Sequence, residues 1–226
     1  MKKKVLIPTT FEEDTKTALR LATDIYQGSA AEITLCTISE ISDSITELLF
    51  LDAKDHIDVS KRDAIISFWN QHKKAAHEKA EVSLHHQFGL SQPKFNRMME
   101  RFEPDMVVVP QSFQQSPEYI HQFALRLFHT SRYPMMLLPG NAETVKGIQR
   151  ALYLDESQQQ ASSVAVQQYP FHVIHKSMVE GQEYGSTRTI VEKMQIDLIV
   201  KPKRKKGLPV EHDRDAGTFG LPILTI

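Results

Sequence analysis

Short apolar runs alternate with amphipathic stretches of helical length through the first part of the chain. "VLIPT" (Val5–Thr9) is apolar on both faces and bounded by turn residues, the pattern of a buried strand. A helix is predicted to follow from Phe11 to Gln27, with Ala18, Leu21, Ala22 and Ile25 on one face and Gly28 as its stop. "AEITLCTIS" (Ala31–Ser39) predicts a second strand, and Ile41–Val59 reads as a short helix and an irregular connection. "KRDAIISFWNQHKKAAHEKA" is an amphipathic helix with Ile65, Phe68, Trp69, His72, Ala75 and Ala76 near one face. "EVSLHHQFG" alternates like a half-exposed strand. Pro93 suits the first turn of a helix whose apolar positions are Phe95, Met98, Met99 and Phe102. "DMVVVP" and "PMMLLPG" predict two further strands around the helix "SPEYIHQFALRLFHTSR". Strands spaced by helices imply parallel strands joined by right-handed crossovers. The expectation is a doubly wound, mostly parallel five-stranded α/β domain over residues 1–141.

Residues 148–226 repeat the theme in abbreviated form, which points to an internal duplication. "RALYLDES" corresponds to "VLIPTTF", "FHVIHKS" to "ITLCTIS", and "LPILTI" to "YPMMLLP". The correspondence of "VEKMQIDLIVKP" with "MERFEPDMVVVP" is the tightest: a short helix, an aspartate, an apolar strand and a proline. The second copy lacks most of the helices that would cover its sheet, so it is expected to pack against the first.

Composition narrows the setting more than the function. The 226 residues are 41% hydrophobic and 24% charged, ordinary for a globular protein, with a formal net charge of −1. No global field therefore draws the chain to nucleic acid or an anionic membrane. Cys36 is the only cysteine, which excludes an intramolecular disulfide and a thiolate zinc cluster. The opening "MKKKVLIPTTFEED" lacks the long apolar region of a signal peptide, and no window approaches the roughly 20 apolar residues of a membrane span. A cytoplasmic location is expected.

The motifs "VLIPTTFEEDTKTALRLA", "EPDMVVVP" and "SRYPMMLLP", in that order, resemble the universal stress protein family. The resemblance covers the first half well and the second in outline. It implies an adenine nucleotide alpha hydrolase-like fold, paired as a dimer or as a tandem pseudo-dimer. Many members hold ATP with an aspartate after the first strand and a G-x-x-G-x₉-G-[ST] loop after the fourth; others lack that loop and are not thought to bind ATP. This chain departs at both places. Thr10 stands at the aspartate position, where "TFEE" also reads as a capping box with Glu13. In the second copy Asp155 falls at that position, as a hydroxyl ligand or as a cap. The first loop reads "PQSFQQSPEYI", and no glycine occurs between Gly89 and Gly140. Pro110 has no amide hydrogen, and bulky side chains block close approach of a phosphate. In the second copy Gly207, nine residues, then Gly217-Thr218 reproduce part of the motif, with Arg204 in place of the first glycine. Too few residues follow to form the usual helix. The five basic residues between Lys201 and Lys206 read as a solvated loop, or as an electrostatic attractor of phosphate.

Open α/β sheets place ligands beyond the C-terminal ends of their strands. A relaxed nucleotide pocket would therefore be built from Pro8, Thr9 and Thr10, from Cys36 to Ile38 around Thr37, and from Val109, Pro110, Gln111 and Ser112, with Asp155 in the second copy. Other chemistry is thin. His72 and His77 are five apart, which misses helical zinc-pair geometry, and His85 and His86 point to opposite faces of a strand. Ser112 and Ser116 lack a nucleophile-elbow context. No metal site and no catalytic residue set is expected. The leading expectation is a non-enzymatic, stress-protein-like regulator acting through protein association, with a degenerate ATP site and no cofactor. The alternative is an ATP-binding sensor using the relaxed pocket. Pairing of the apolar closing strands "PMMLLP" and "PILTI" is expected within the chain, between chains as a homodimer, or both.

Overall fold

The computed structural model describes residues 2–26, 29–41, 58–73, 80–140, 147–154, 169–176, 187–203 and 219–226. The first half supplies β1 (Lys3–Pro8), β2 (Ala31–Ser39), β3 (Glu81–Phe88), β4 (Met106–Val109) and β5 (Met135–Leu137). They form a parallel sheet in the order β3-β2-β1-β4-β5. Among the described residues five helices accompany them: α1 (Asp14–Ile25), α2 (Val59–His72), α3 (Gln92–Phe102), the single turn α4 (Gln111–Gln114) and α5 (Tyr119–Thr130).

Alternation along each strand sorts its side chains onto two faces. Val5, Ile7, Ile33, Leu35, Met106, Val108 and Met136 enter one core, closed by Ala18, Leu21, Ala22 and Ile25 of α1 and by Ile65 and Trp69 of α2. Leu6, Cys36, Val107, Val109, Met135 and Leu137 enter the other, closed by α3 and α5 through Phe95, Met98, Met99, Ala124 and Phe128. Phe95 meets Phe128 edge to face at 5.1 Å between centroids. Sheet strands buried on both sides leave no polar position, which is why β4 reads "MVVV".

Helix starts follow local chemistry. Asp58 accepts from the Lys61 amide at 3.1 Å to cap α2, and Ser91 accepts from Lys94 ahead of α3. The capping box expected from Thr10 and Glu13 does not form. α1 begins at Asp14, Glu13 makes no side-chain cap bond and instead pairs with Lys16, and Thr10 faces Ser112. The hydroxyl that organises the turn is Thr9: it accepts from the Phe11 amide at 2.8 Å and meets Thr15 Oγ1 at 2.7 Å. Phe11 takes a left-handed φ of 58° to make this turn. The stop expected at Gly28 lies outside the described residues.

The second half contributes β6 (Arg150–Tyr153), β7 (His172–His175), α6 (Thr187–Met194), β8 (Leu198–Lys201) and β9 (Ile223–Thr225). Their order, β9-β8-β6-β7, runs parallel throughout and corresponds to β5-β4-β1-β2. The halves meet where β5 pairs antiparallel with β9, Met136 opposite Leu224, giving one nine-stranded sheet. Ala151, Tyr153, Leu198, Val200 and Leu224 join the core formed with α1 and α2, while Leu152, Ile190 and Ile196 form a small core on the opposite face. Among the described residues no helix is long and apolar enough to cross a membrane.

A backbone device recurs in both halves. Before β4, Glu103 takes a left-handed φ of 43°; two residues on, the Asp105 amide donates to the Lys4 carbonyl and its carboxylate accepts from the Lys4 amide, both at 2.8 Å. Before β8, Gln195 has φ 53°, and Asp197 makes the same pair with Arg150 at 2.9 and 3.0 Å. The two aspartates thereby fix the register of β4 against β1 and of β8 against β6.

The seam carries a polar strap. Lys203 follows β8, donates its amide to the Ile226 carbonyl at 2.6 Å, and sends its ammonium across the end of β9 to the carbonyls of Ser131, at 2.5 Å, and Tyr133. These carbonyls lie just past the C-terminal end of α5, where the helix dipole favours a cation. Among the described residues no carboxylate joins them, and burial pushes the ammonium down from 10.5 to about 8.

Two outcomes follow from these contacts. The folded-state value of Lys203 lies below its unfolded one, so the unfolded chain holds more protons in between, and its contribution to stability rises from pH about 8 to 10.5. Lys203→Met should flatten that part of a stability-against-pH profile measured by urea unfolding; an unchanged slope would place the ammonium outside the strap. Second, the fully buried Tyr153 hydroxyl finds no hydrogen-bond partner among the described residues. Tyr153→Phe should leave stability unchanged or raise it by about 1 kcal/mol in chemical denaturation.

Candidate functional site

The sheet order reverses beyond the C-terminal ends of β1 and β4, where a doubly wound fold opens its crevice. Of the residues expected there, those after β1 and β4 meet, whereas Thr37 does not. Pro8 ends β1 opposite Cys36, and the Thr9 amide extends the ladder to the Cys36 carbonyl at 2.9 Å. Val109 and Pro110 are buried, and Pro110 stands at the N-terminal end of α4 with φ −61°. Thr10 Oγ1 lies 3.4 Å from Ser112 Oγ, joining the loop after β1 to the loop after β4. Gln111 reaches to the other side: its side-chain amide occupies the space where a Cβ on Gly140 would stand. Thr37 is turned to β3, its hydroxyl 2.7 Å from His86 Nδ1, while His86 Nε2 meets Ser39 Oγ at 2.9 Å. Asp155, Gly207, Gly217, Thr218 and the basic residues from Arg204 to Lys206 lie outside the described residues.

The group that fills the crevice was not among those expected. Asp14, the first residue of α1, accepts from the Ser112 amide through Oδ2 and from the Ser112 hydroxyl through Oδ1, both at 2.7 Å. A half-buried carboxylate on two donors of one residue forms short, charge-assisted bonds worth about 1.5–3 kcal/mol each. The Ser112 amide, one of the backbone donors that follow the proline, is thus committed to an internal anion. A phosphate arriving here would have to displace Asp14, against the repulsion of like charges.

The remaining polar groups lock the loop rather than present it. Gln114 donates its side-chain amide to the Val109 and Leu138 carbonyls, both at 2.9 Å, and Gln122 donates to the carbonyls of Gln114 and Ser116 at 2.9 and 2.8 Å. His121 is buried, 2.8 Å by Nε2 from the Ile38 carbonyl and 2.7 Å by Nδ1 from Ser116 Oγ. A carbonyl only accepts, so Nε2 carries the proton and Nδ1 takes the Ser116 hydroxyl proton in the neutral ring. This bridge ties the start of α5 to the end of β2. The signal for His121 is present in the sequence, a polar residue on the stripe Ile120, Ala124, Leu127, Phe128.

The reactive side chains of Cys36, Ser116 and His121 are buried. Burial pushes the Cys36 thiol up to about 12, far from the thiolate, and its sulfur lies 4.0 Å from Met98 Sδ. Ser116 and His121 are buried together. His85 packs edge-on to Phe102 at 4.9 Å, where burial and Arg101 lower its proton affinity.

No family model matches the chain, and no curated protein matches it. Among solved structures, a universal stress protein from Archaeoglobus fulgidus DSM 4304 is 13% identical, with 98% of this chain and 95% of that one covered at a TM-score of 0.48. A universal stress protein in complex with cAMP is 13% identical over 60% of this chain and 96% of its own, with a TM-score of 0.40. A hypothetical protein is 19% identical over 60% and 94%, with a TM-score of 0.34. The α/β fold itself rests on the strand order and register given above.

The Asp14–Ser112 pair has a direct measure. Asp14→Ala should cost about 1–3 kcal/mol in urea unfolding. In a double-mutant cycle with Ser112→Ala, the two losses should fall short of additivity by roughly 0.5 kcal/mol or more. Strict additivity would mean that the carboxylate and the hydroxyl do not meet in solution.

Proposed function

We propose that this chain is a non-enzymatic, universal-stress-protein-like regulator that acts through protein association in the cytoplasm, with its nucleotide site degenerate. One observation carries the reading: the Asp14 carboxylate holds the amide and hydroxyl of Ser112 where the resemblance to ATP-binding relatives calls for a phosphate. Gln111 against Gly140 and Gln114 across β4 and β5 add to it, since both fill the loop with the chain's own side chains. On this reading the second half is an abbreviated internal repeat that completes the sheet. The paired devices at Asp105 and Asp197 support that origin.

A second reading keeps a nucleotide in a relaxed pocket at the strand ends, favoured by the Thr10 and Ser112 hydroxyls converging in the crevice. It requires Asp14 to turn away. Equilibrium titration of the full chain with a fluorescent ATP analogue, with ATP and cAMP as competitors and with magnesium present, separates the two. The expected result is no saturable sub-millimolar binding. Saturable binding that the competitors displace would overturn the degenerate-site reading and establish the second.

A further inference from the structure

The nine-stranded sheet has β3 and β7 at its two ends among the described strands, because β9 occupies the outer edge of β5. The edges differ in character. β7 is four residues long, whereas β3 pairs with β2 over eight successive positions, Glu32↔Glu81 to Ser39↔Phe88. Edge strands are ordinarily guarded by lysine, proline or a bulge. The central part of β3, Val82–His85, contains no lysine or proline, and Leu84 at its middle is 45% exposed. Glu81, the acidic residue at its start, is held by Lys2 at 2.7 Å, and Lys2 also lies 3.7 Å from Glu32. At the far end stands the exposed Lys94, whose ammonium reaches the Phe88 carbonyl at 3.4 Å.

We propose that β3 is a self-association edge: two copies of this chain pair their β3 strands antiparallel about a two-fold axis at Leu84. The occupant is a second copy because the edge is self-complementary. The two-fold sets the acidic end, Glu81 with Glu32, against the partner's basic end at Lys94. It also sets Leu84 opposite Leu84, Val82 opposite His86 and Glu81 opposite Gln87. Directly opposed residues of an antiparallel pair share a face, so each half-exposed Leu84 is covered by its own image. The expected closing-strand dimer has no edge to use, since β5 is already taken by β9 within the chain. The pairing does not depend on whether the crevice takes a nucleotide, and the ATP titration and the mass measurement fail separately.

Size-exclusion chromatography with light scattering on the full chain should give twice the chain mass, dissociating on dilution. Leu84→Lys places a like charge against itself at the two-fold and should weaken the dimer by roughly tenfold or more. Circular dichroism of the variant should match the parent, since residue 84 is exposed. Leu84→Cys should form a disulfide-linked dimer on mild oxidation, with the buried Cys36 taking no part. Glu81→Cys should not, because the two-fold leaves its copies about 20 Å apart along the strands. A single chain mass at every concentration overturns the proposal, as does a dimer indifferent to Leu84→Lys or cross-linking equally through position 81. Monomers that only capture an extended peptide at this edge overturn it as well.

Discussion

Three residues of β5 and three of β9 determine what this molecule can be. Among the described residues every other strand pair is parallel and belongs to one half, and Met135–Leu137 against Ile223–Thr225 alone runs antiparallel and joins the halves. The second half has only α6 as a described helix, and a short sheet so sparsely clad cannot bury its own strands. The seam solves this by making its sheet an extension of the first. Tyr153 and Val200 then enter the same core as Val5 and Ile33. Lys203 acts at the same place, with its side chain anchored beyond α5 while its backbone holds β9.

The crevice is governed by a different constraint, that a buried donor must find an acceptor. With Pro110 supplying no amide and no glycine opening the loop, the chain answers from within. Asp14 supplies the anion, Gln114 and Gln122 tie down carbonyls, and His121 joins β2 to α5. A loop satisfied in this way spends its donors on the chain's own groups.

Much of the fold was legible in the pattern of the chain. Runs such as "MVVV" and "VLIP", apolar at successive positions, announce strands buried on both faces, and the Pro93 and Phe95–Met98–Met99 spacing announces α3. The contents of the crevice were less legible. "TFEED" offers two carboxylates after Thr10 besides Asp14, and a capping box is the local solution for such a sequence. The tertiary partner Ser112, 98 residues away, decides otherwise by drawing Asp14 across the crevice. Thr9 rather than Thr10 then organises the turn, because its hydroxyl is buried beside Thr15. Interactions set by distant loops leave no periodic trace, whereas those set by the sheet do.

The reversal at β5–β9 also gives the molecule a polarity. All strands of the first half point one way and all strands of the second point the other. The C-terminal ends of β5 and β9 therefore leave the sheet at opposite edges of the seam, and the crevice beyond β1 and β4, held by Asp14, is directed away from the C-terminal strand ends of the second half.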